Sequence, residues 1–142
     1  MLVTERSGGL WMITSDGTKQ RIYGVPRVVA RGRVGLVDVA VSSEFECDQT
    51  VFFIYTDSAG LGATRTAVAR TFLDQIGASL HDRTDIFVQR DAFVSSRHCG
   101  SRIAFVPNGD LFVAFGNRAN RPETQNVTNT VGSVIRIQWK TR

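Results

Sequence analysis

The chain reads as short apolar runs that alternate with turn residues, with a period near two along most of its length. Leu2–Thr4 and Leu10–Thr14 flank Ser7-Gly8-Gly9, a hairpin turn, and Asp16-Gly17 turns the chain again before Gln20–Tyr23. Gly35–Val41 alternates apolar with small or polar residues. Thr50–Thr56 (Thr-Val-Phe-Phe-Ile-Tyr-Thr) is a β-branched and aromatic run of the kind a buried strand carries. Thr64–Phe72 alternates once more, and Asp85–Gln89 is a further short strand. Arg102–Val106 and Leu111–Phe115 bracket Pro107-Asn108-Gly109 as the clearest hairpin, and Ser133–Trp139 closes the series. No window of helical length carries an apolar stripe at i, i+3, i+4; Ala69–Ile76 comes nearest and stops at Gly77. The pattern predicts an all-β chain with little or no helix.

Several runs resemble one another. Gly9-Leu-Trp-Met-Ile13 and Gly109-Asp-Leu-Phe-Val-Ala114 both follow a glycine turn and then run apolar, and Asp48–Tyr55 plays a similar part between them. Recurring strand-turn-strand units suit a β-propeller; a sandwich or barrel shares the signature of many short strands. A blade takes on the order of 40–50 residues and rings close with about four to eight blades. The 142 residues therefore make about three blades, a partial propeller in one domain spanning 1–142. Open blade edges in such a chain invite self-association.

Composition narrows the function classes. Apolar residues make up 42% and charged residues 21%, a globular balance. The net charge is +4, but the arginines are scattered singly between apolar runs, so no nucleic-acid module is indicated. A small barrel binding an anionic ligand through scattered arginines is the alternative that this charge leaves open. No apolar run reaches membrane-spanning length, and the first residues lack a signal-peptide pattern. Cys47 and Cys99 match no metal or CxxC spacing and read as unpaired thiols.

Candidate chemistry centres on Ser95-Ser-Arg-His-Cys-Gly-Ser-Arg102. A neutral His98 is able to accept a proton from a substrate hydroxyl. Gly100 would permit close approach of a ligand, and Arg97 and Arg102 supply charge. His81, in Ser79-Leu-His-Asp-Arg83, reads as a surface residue in a polar connection. Asp16 and Asp57 read as turn residues, without calcium-loop spacing.

The stretch His98-Cys-Gly-Ser-Arg-Ile-Ala-Phe-Val-Pro-Asn-Gly-Asp-Leu-Phe-Val-Ala-Phe-Gly116 resembles the soluble pyrroloquinoline-quinone (PQQ)-dependent sugar dehydrogenases, the glucose/sorbosone dehydrogenase family. That family carries His-Phe-Gly-Gly-Arg, an apolar strand, an Asp-Gly-type turn and a second strand ending in Gly. Leu2–Arg6 with Gly9-Leu10 resembles its first strand pair. Gly32-Arg-Val-Gly-Leu-Val-Asp-Val39 resembles Gly-Gln-Gly-Gly-Leu-Leu-Asp-Val, while Asn120–Asn126 and Gly132–Ile137 resemble its Ala-Gln-Asp and Gly-Lys-Ile-Leu-Arg-Ile segments. The matches run in order over nearly the whole chain.

The resemblance implies about three blades of a six-bladed propeller, with sugar and PQQ bound at the axial mouth. It gives His98 the role of base toward the sugar's anomeric hydroxyl as hydride passes to the quinone. Arg33 stands where the family has Gln, Val34 where it has Gly, Arg97 where Asp or Asn is common, and Cys99 replaces an aromatic residue. Arg33 and Arg97 are thus candidate substrate-binding residues in a pocket made more cationic. The family's contacts to the quinone carboxylates and its calcium sites come mostly from later blades, so this chain alone is expected to be inactive. The expected substrate is a sugar or aldose and the expected location periplasmic or secreted. A non-catalytic propeller module, for binding or scaffolding with an altered pocket, is the alternative.

Overall fold

The computed structural model describes residues 1–139. Three antiparallel sheets follow one another along the chain. The first contains β1 (Leu2–Thr4), β2 (Leu10–Ile13) and β3 (Lys19–Ile22). The second contains β4 (Leu36–Val41), β5 (Thr50–Gly60), β6 (Ala63–Asp74) and β7 (Ser79–Val88), with a single helical turn, α1 (Phe45–Asp48), between its first two strands. The third contains β8 (Gly100–Phe105), β9 (Leu111–Phe115) and β10 (Val134–Ile137), with a 3-10 turn at Pro122–Gln125. Each sheet keeps its strands in chain order, as a run of hairpins must. The first strands lie together: β4 packs against β1 on one side and β8 on the other. Three sheets sharing one inner line of strands make a partial β-propeller.

Residues Thr50–Thr56 of β5 are buried without alternation, and the arrangement explains why. Successive side chains still point to opposite faces, but both faces are covered. Val51, Phe53 and Tyr55, with Ala67 and Ala69 of β6, pack toward Leu10 and Ile22 of the first sheet. Phe52, Ile54 and Val68 pack toward Ile103, Leu111, Val113 and Phe115 of the third. Phe52 meets Phe105 and Trp139 edge-on at 5.5 and 4.8 Å. In β9, by contrast, Leu111, Val113 and Phe115 are buried while Phe112 is 36% exposed; on β10, Val134 is 64% exposed. The outer face of the third sheet is therefore uncovered among the described residues.

The structure alters three expectations. The short strand at Asp85–Gln89 is the end of the ten-residue β7, so His81 lies in a strand opposite Phe72 rather than in a connection, though it stays exposed. Ala69–Ile76 falls largely in β6, where Thr, Val and Phe favour extended backbone. The helical turn at Phe45–Asp48 is too short to leave a periodic trace, and Gln49 ends it at φ 51°.

Candidate active site

The segment 89–99, joining β7 to β8, runs across one end of the sheets as a strap. Main-chain hydrogen bonds fasten it to both neighbours. Gln89 N–H donates to the Thr66 carbonyl and Phe93 exchanges two bonds with Thr64, all at 2.8 Å, which secures it to β6. Arg33 N–H donates to the Ser96 carbonyl at 2.9 Å, which brings the segment before β4 alongside. Gly116 N–H donates to the Cys99 carbonyl and Arg118 N–H to the His98 carbonyl, both at 3.0 Å, which ties it to the end of β9. His98 is held at φ 47°, a conformation that non-glycine residues adopt only where surroundings impose it.

The His98 ring is exposed. Its Nδ1 lies 3.1 Å from Asn117 Oδ1, and that oxygen also accepts Ala119 N–H at 3.0 Å. An oxygen already accepting a main-chain N–H fixes the amide's orientation, so Nδ1 is the protonated nitrogen. Nε2 then carries the lone pair, with no protein partner among the described residues. A histidine with one nitrogen anchored and the other open is prepared to take a proton.

Arg33 and Arg97 are both exposed and belong to no ion pair among the described residues. Their backbones lie on adjoining segments: the Cys99 thiol donates to the Arg33 carbonyl at 3.2 Å, and Arg97 N–H donates to Ser95 Oγ at 3.2 Å. The structure thus sets the Arg33 backbone alongside the segment that carries Arg97 and His98, and all three side chains are exposed.

Two neighbouring roles differ from expectation. Gly100, at φ 74°, makes room for the chain itself rather than for a ligand, since a Cβ there would overlap the Gly116 nitrogen. Arg102 does not serve His98: its guanidinium lies 3.4 Å from Asp38 Oδ1 on β4. The other Asp38 oxygen accepts Ile103 N–H at 2.8 Å, so Asp38 joins the inner strands of the second and third sheets directly beneath the strap.

Sequence reading missed Asn117 and Arg118. Arg118 is only 1% exposed; it donates to the Thr64 carbonyl at 3.0 Å and to Thr64 Oγ1, and lies over the Phe93 ring. Its Nε and Nη1 are buried without partners. Burial pushes the guanidinium down from its ordinary range; the nearby Cys99 sulfur opposes that shift and the charge of Arg31 reinforces it. A groove of about 730 Å³ is lined by Arg90, Asp91 and Phe93 of the strap with Asn120 and Thr130 among others; His98, Arg33 and Arg97 do not line it. Cys47 is exposed and Cys99 buried, and neither is in a disulfide. No group of three potential metal ligands occurs among the described residues, and no helix there is long and apolar enough to cross a membrane.

The family model of the glucose/sorbosone dehydrogenases matches residues 1–142. The chain belongs to that family. It is 30% identical over 139 residues to the aldose sugar dehydrogenase YliI of Escherichia coli, covering 96% of this chain and 37% of that protein. A solved glucose dehydrogenase superposes with a TM-score of 0.93 at 31% identity, over 97% of this chain and 41% of the other. The aldose sugar dehydrogenase of Streptomyces coelicolor, solved in its PQQ-bound form, has the same fold: TM-score 0.85 at 24% identity, over 97% of this chain and 41% of that one. The family member described here thus spans about two fifths of the length of these relatives, as part of a propeller.

Proposed function

We propose that this chain is part of a quinone-dependent dehydrogenase that oxidises a sugar or aldose, with His98 as the base. The observation that carries the reading is the anchored imidazole: Asn117 holds Nδ1–H and leaves Nε2 open. Nε2 takes the proton of the sugar hydroxyl as the carbon–hydrogen bond breaks. PQQ, when bound, supplies the hydride acceptor. Arg33 and Arg97, exposed and in no ion pair among the described residues, are the substrate-binding residues of this reading. In this reading residues 1–142 form one partial propeller domain, and the protein works in the periplasm or outside the cell. In this reading the chain, which spans about two fifths of its relatives, does not turn over alone, and the remaining quinone contacts and the calcium sites are assigned to the rest of the propeller. Its uncovered third sheet, with Phe112 and Val134 outward, is the surface through which isolated copies associate.

The test is dye reduction by a version extended to the relatives' length, with calcium, PQQ and a panel of sugars. Sugar-dependent reduction that His98→Ala abolishes is the expected result. Absence of quinone binding at any concentration refutes the reading and leaves a non-catalytic binding or scaffold module, the alternative favoured by the cations at Arg33 and Arg97.

A further inference from the structure

Resting on that reading, we propose that Arg118 is the positioning residue of the His98 imidazole and acts through the turn at 117–120. Asn120 N–H closes this turn by donating to the Asn117 carbonyl at 2.7 Å, with Arg118 at φ 54° and Ala119 at φ 62° in the two central positions. Positive φ at both centres favours glycine, asparagine and aspartate, so Arg-Ala has no local reason to adopt it. Such a conformation persists only where the surroundings hold it. The turn carries the partner of the ring. Asn117 Oδ1 stands 3.1 Å from His98 Nδ1 and accepts Ala119 N–H at 3.0 Å, so the acceptor stays on the imidazole only while the turn keeps its shape.

The Arg118 side chain supplies the hold. Buried, it donates from Nη2 to the Thr64 carbonyl at 3.0 Å and to Thr64 Oγ1, and its guanidinium lies 5.6 Å over the Phe93 ring. Thr64 and Phe93 exchange two main-chain bonds of 2.8 Å, so the guanidinium grips the place where the strap is fastened to β6. The Arg118 main-chain N–H donates to the His98 carbonyl at 3.0 Å, and His98 too has a positive φ. One residue thus ties the turn to the strap at its middle and at its end. Stability alone does not account for this residue. Its Nε and Nη1 are buried without partners among the described residues, and an apolar chain of similar length would fill the space without stranding them. Thr64 would not be left short either, because its carbonyl keeps the Phe93 N–H. An apolar chain lacks the directed hydrogen bonds that keep the turn in a conformation its own sequence does not favour.

The test is the tautomer of His98 in the 142-residue chain, read from its imidazole nitrogen shifts at a pH where the ring is neutral. His98→Gln identifies the signals, and Asn117→Ala supplies those of a freed ring. A residue that served the fold alone would change the urea midpoint and leave the tautomer of the folded chain as it is. Arg118→Met is expected to fold, with nitrogen shifts moved from the values of one tautomer toward those of the freed ring. Arg118→Met with Ala119→Gly, which lets the turn form by itself, moves them back. A single tautomer in folded Arg118→Met overturns the inference, and so does a mixture that Ala119→Gly does not correct. If Arg118→Met fails to fold, the double variant decides. Folded with one tautomer, it supports the inference; unfolded or mixed, it makes Arg118 a core residue and overturns it. None of these readouts needs turnover. The dehydrogenase reading falls separately, if the extended protein keeps its sugar-dependent dye reduction in His98→Ala.

Discussion

Asp38→Ala tests the joint between the second and third sheets. Asp38 Oδ2 accepts Ile103 N–H at 2.8 Å, its side chain is 13% exposed, and Ile103 is 7% exposed. The ladder between β8 and β9 shifts register between Gly100 and Ile103, so this N–H relies on the carboxylate. Removing the carboxylate strands a buried donor, which costs about 1–3 kcal/mol, and a charged acceptor places the loss in the upper part of that range. The contact to Arg102 adds little, since that side chain is 79% exposed and such pairs contribute about 0–1 kcal/mol. We therefore expect Asp38→Ala to lose about 2–3 kcal/mol, Asp38→Asn about 1 because it keeps an acceptor, and Arg102→Ala no more than about 0.5. Urea unfolding followed by circular dichroism, extrapolated linearly to water, reads all three. The reasoning is refuted if Asn costs as much as Ala, because the acceptor would then be irrelevant. It is equally refuted if Arg102→Ala costs as much as Asp38→Ala, because the ion pair would then be the joint.

Phe52→Ala, at a side chain fully buried between two sheets, is expected to lose about 3–5 kcal/mol in the same assay. Phe112→Ser, on the uncovered face, stays within about 0.5 kcal/mol and reduces self-association in sedimentation. Gly100→Ala combines φ 74° with overlap on the Gly116 nitrogen, so it lowers the melting temperature well beyond Gly17→Ala, where φ is 86° but the space is open. Tyr55 donates to Asp85 at 3.0 Å; burial first and that carboxylate second push its phenol up to about 12, from an ordinary value of 10.0. A raised folded value means that its contribution is fully present below pH 10 and is lost as pH climbs through about 12. Absorbance at the phenolate band should show a late ionisation that Tyr55→Phe deletes. Asn117→Ala frees His98 Nδ1, and nitrogen chemical shifts should change from one tautomer to a mixture.

Much of the fold was legible because turn chemistry and strand composition agreed. Asp16-Gly17 and Pro107-Asn108-Gly109 are turns, Leu111–Phe115 is β9 to the residue, and the run at Thr50–Thr56 lies inside β5. The weak point was the outer edge of the second sheet. In β7, Leu80 is buried but positions 81–85 are all exposed, so His-Asp-Arg-Thr-Asp carries no apolar alternation to read. An edge strand borrows its conformation from one neighbour, and here that pairing with β6 is broken by two register shifts. Nothing local marks such a segment as extended.

The candidate site was half legible for a different reason. His98, Arg33 and Arg97 stand out through residue type and motif, whereas Asn117 does not, because an asparagine after a strand reads as a turn residue. Yet the hairpin that was clearest in the sequence contained the information. Residues equidistant from a turn meet across it, and β8 pairs Ile103 with Val113 and Gly100 with Phe115 around the turn at Pro107–Gly109. Continuing that ladder outward past Gly100 brings His98 to Asn117 and Arg118, which supply its side-chain and main-chain partners. The same logic reassigns Gly100 and Arg102. A glycine beside a candidate base suggests ligand access, but within a ladder it must first clear the opposing strand, and here Gly116 fills that space. An arginine four residues after His98 lies down the strand from the strap, where β4 presents Asp38. Residues of one short motif therefore divide into an exposed side chain on the strap, His98, and groups that hold the strands together, Gly100 and Arg102, and strand register decides which is which.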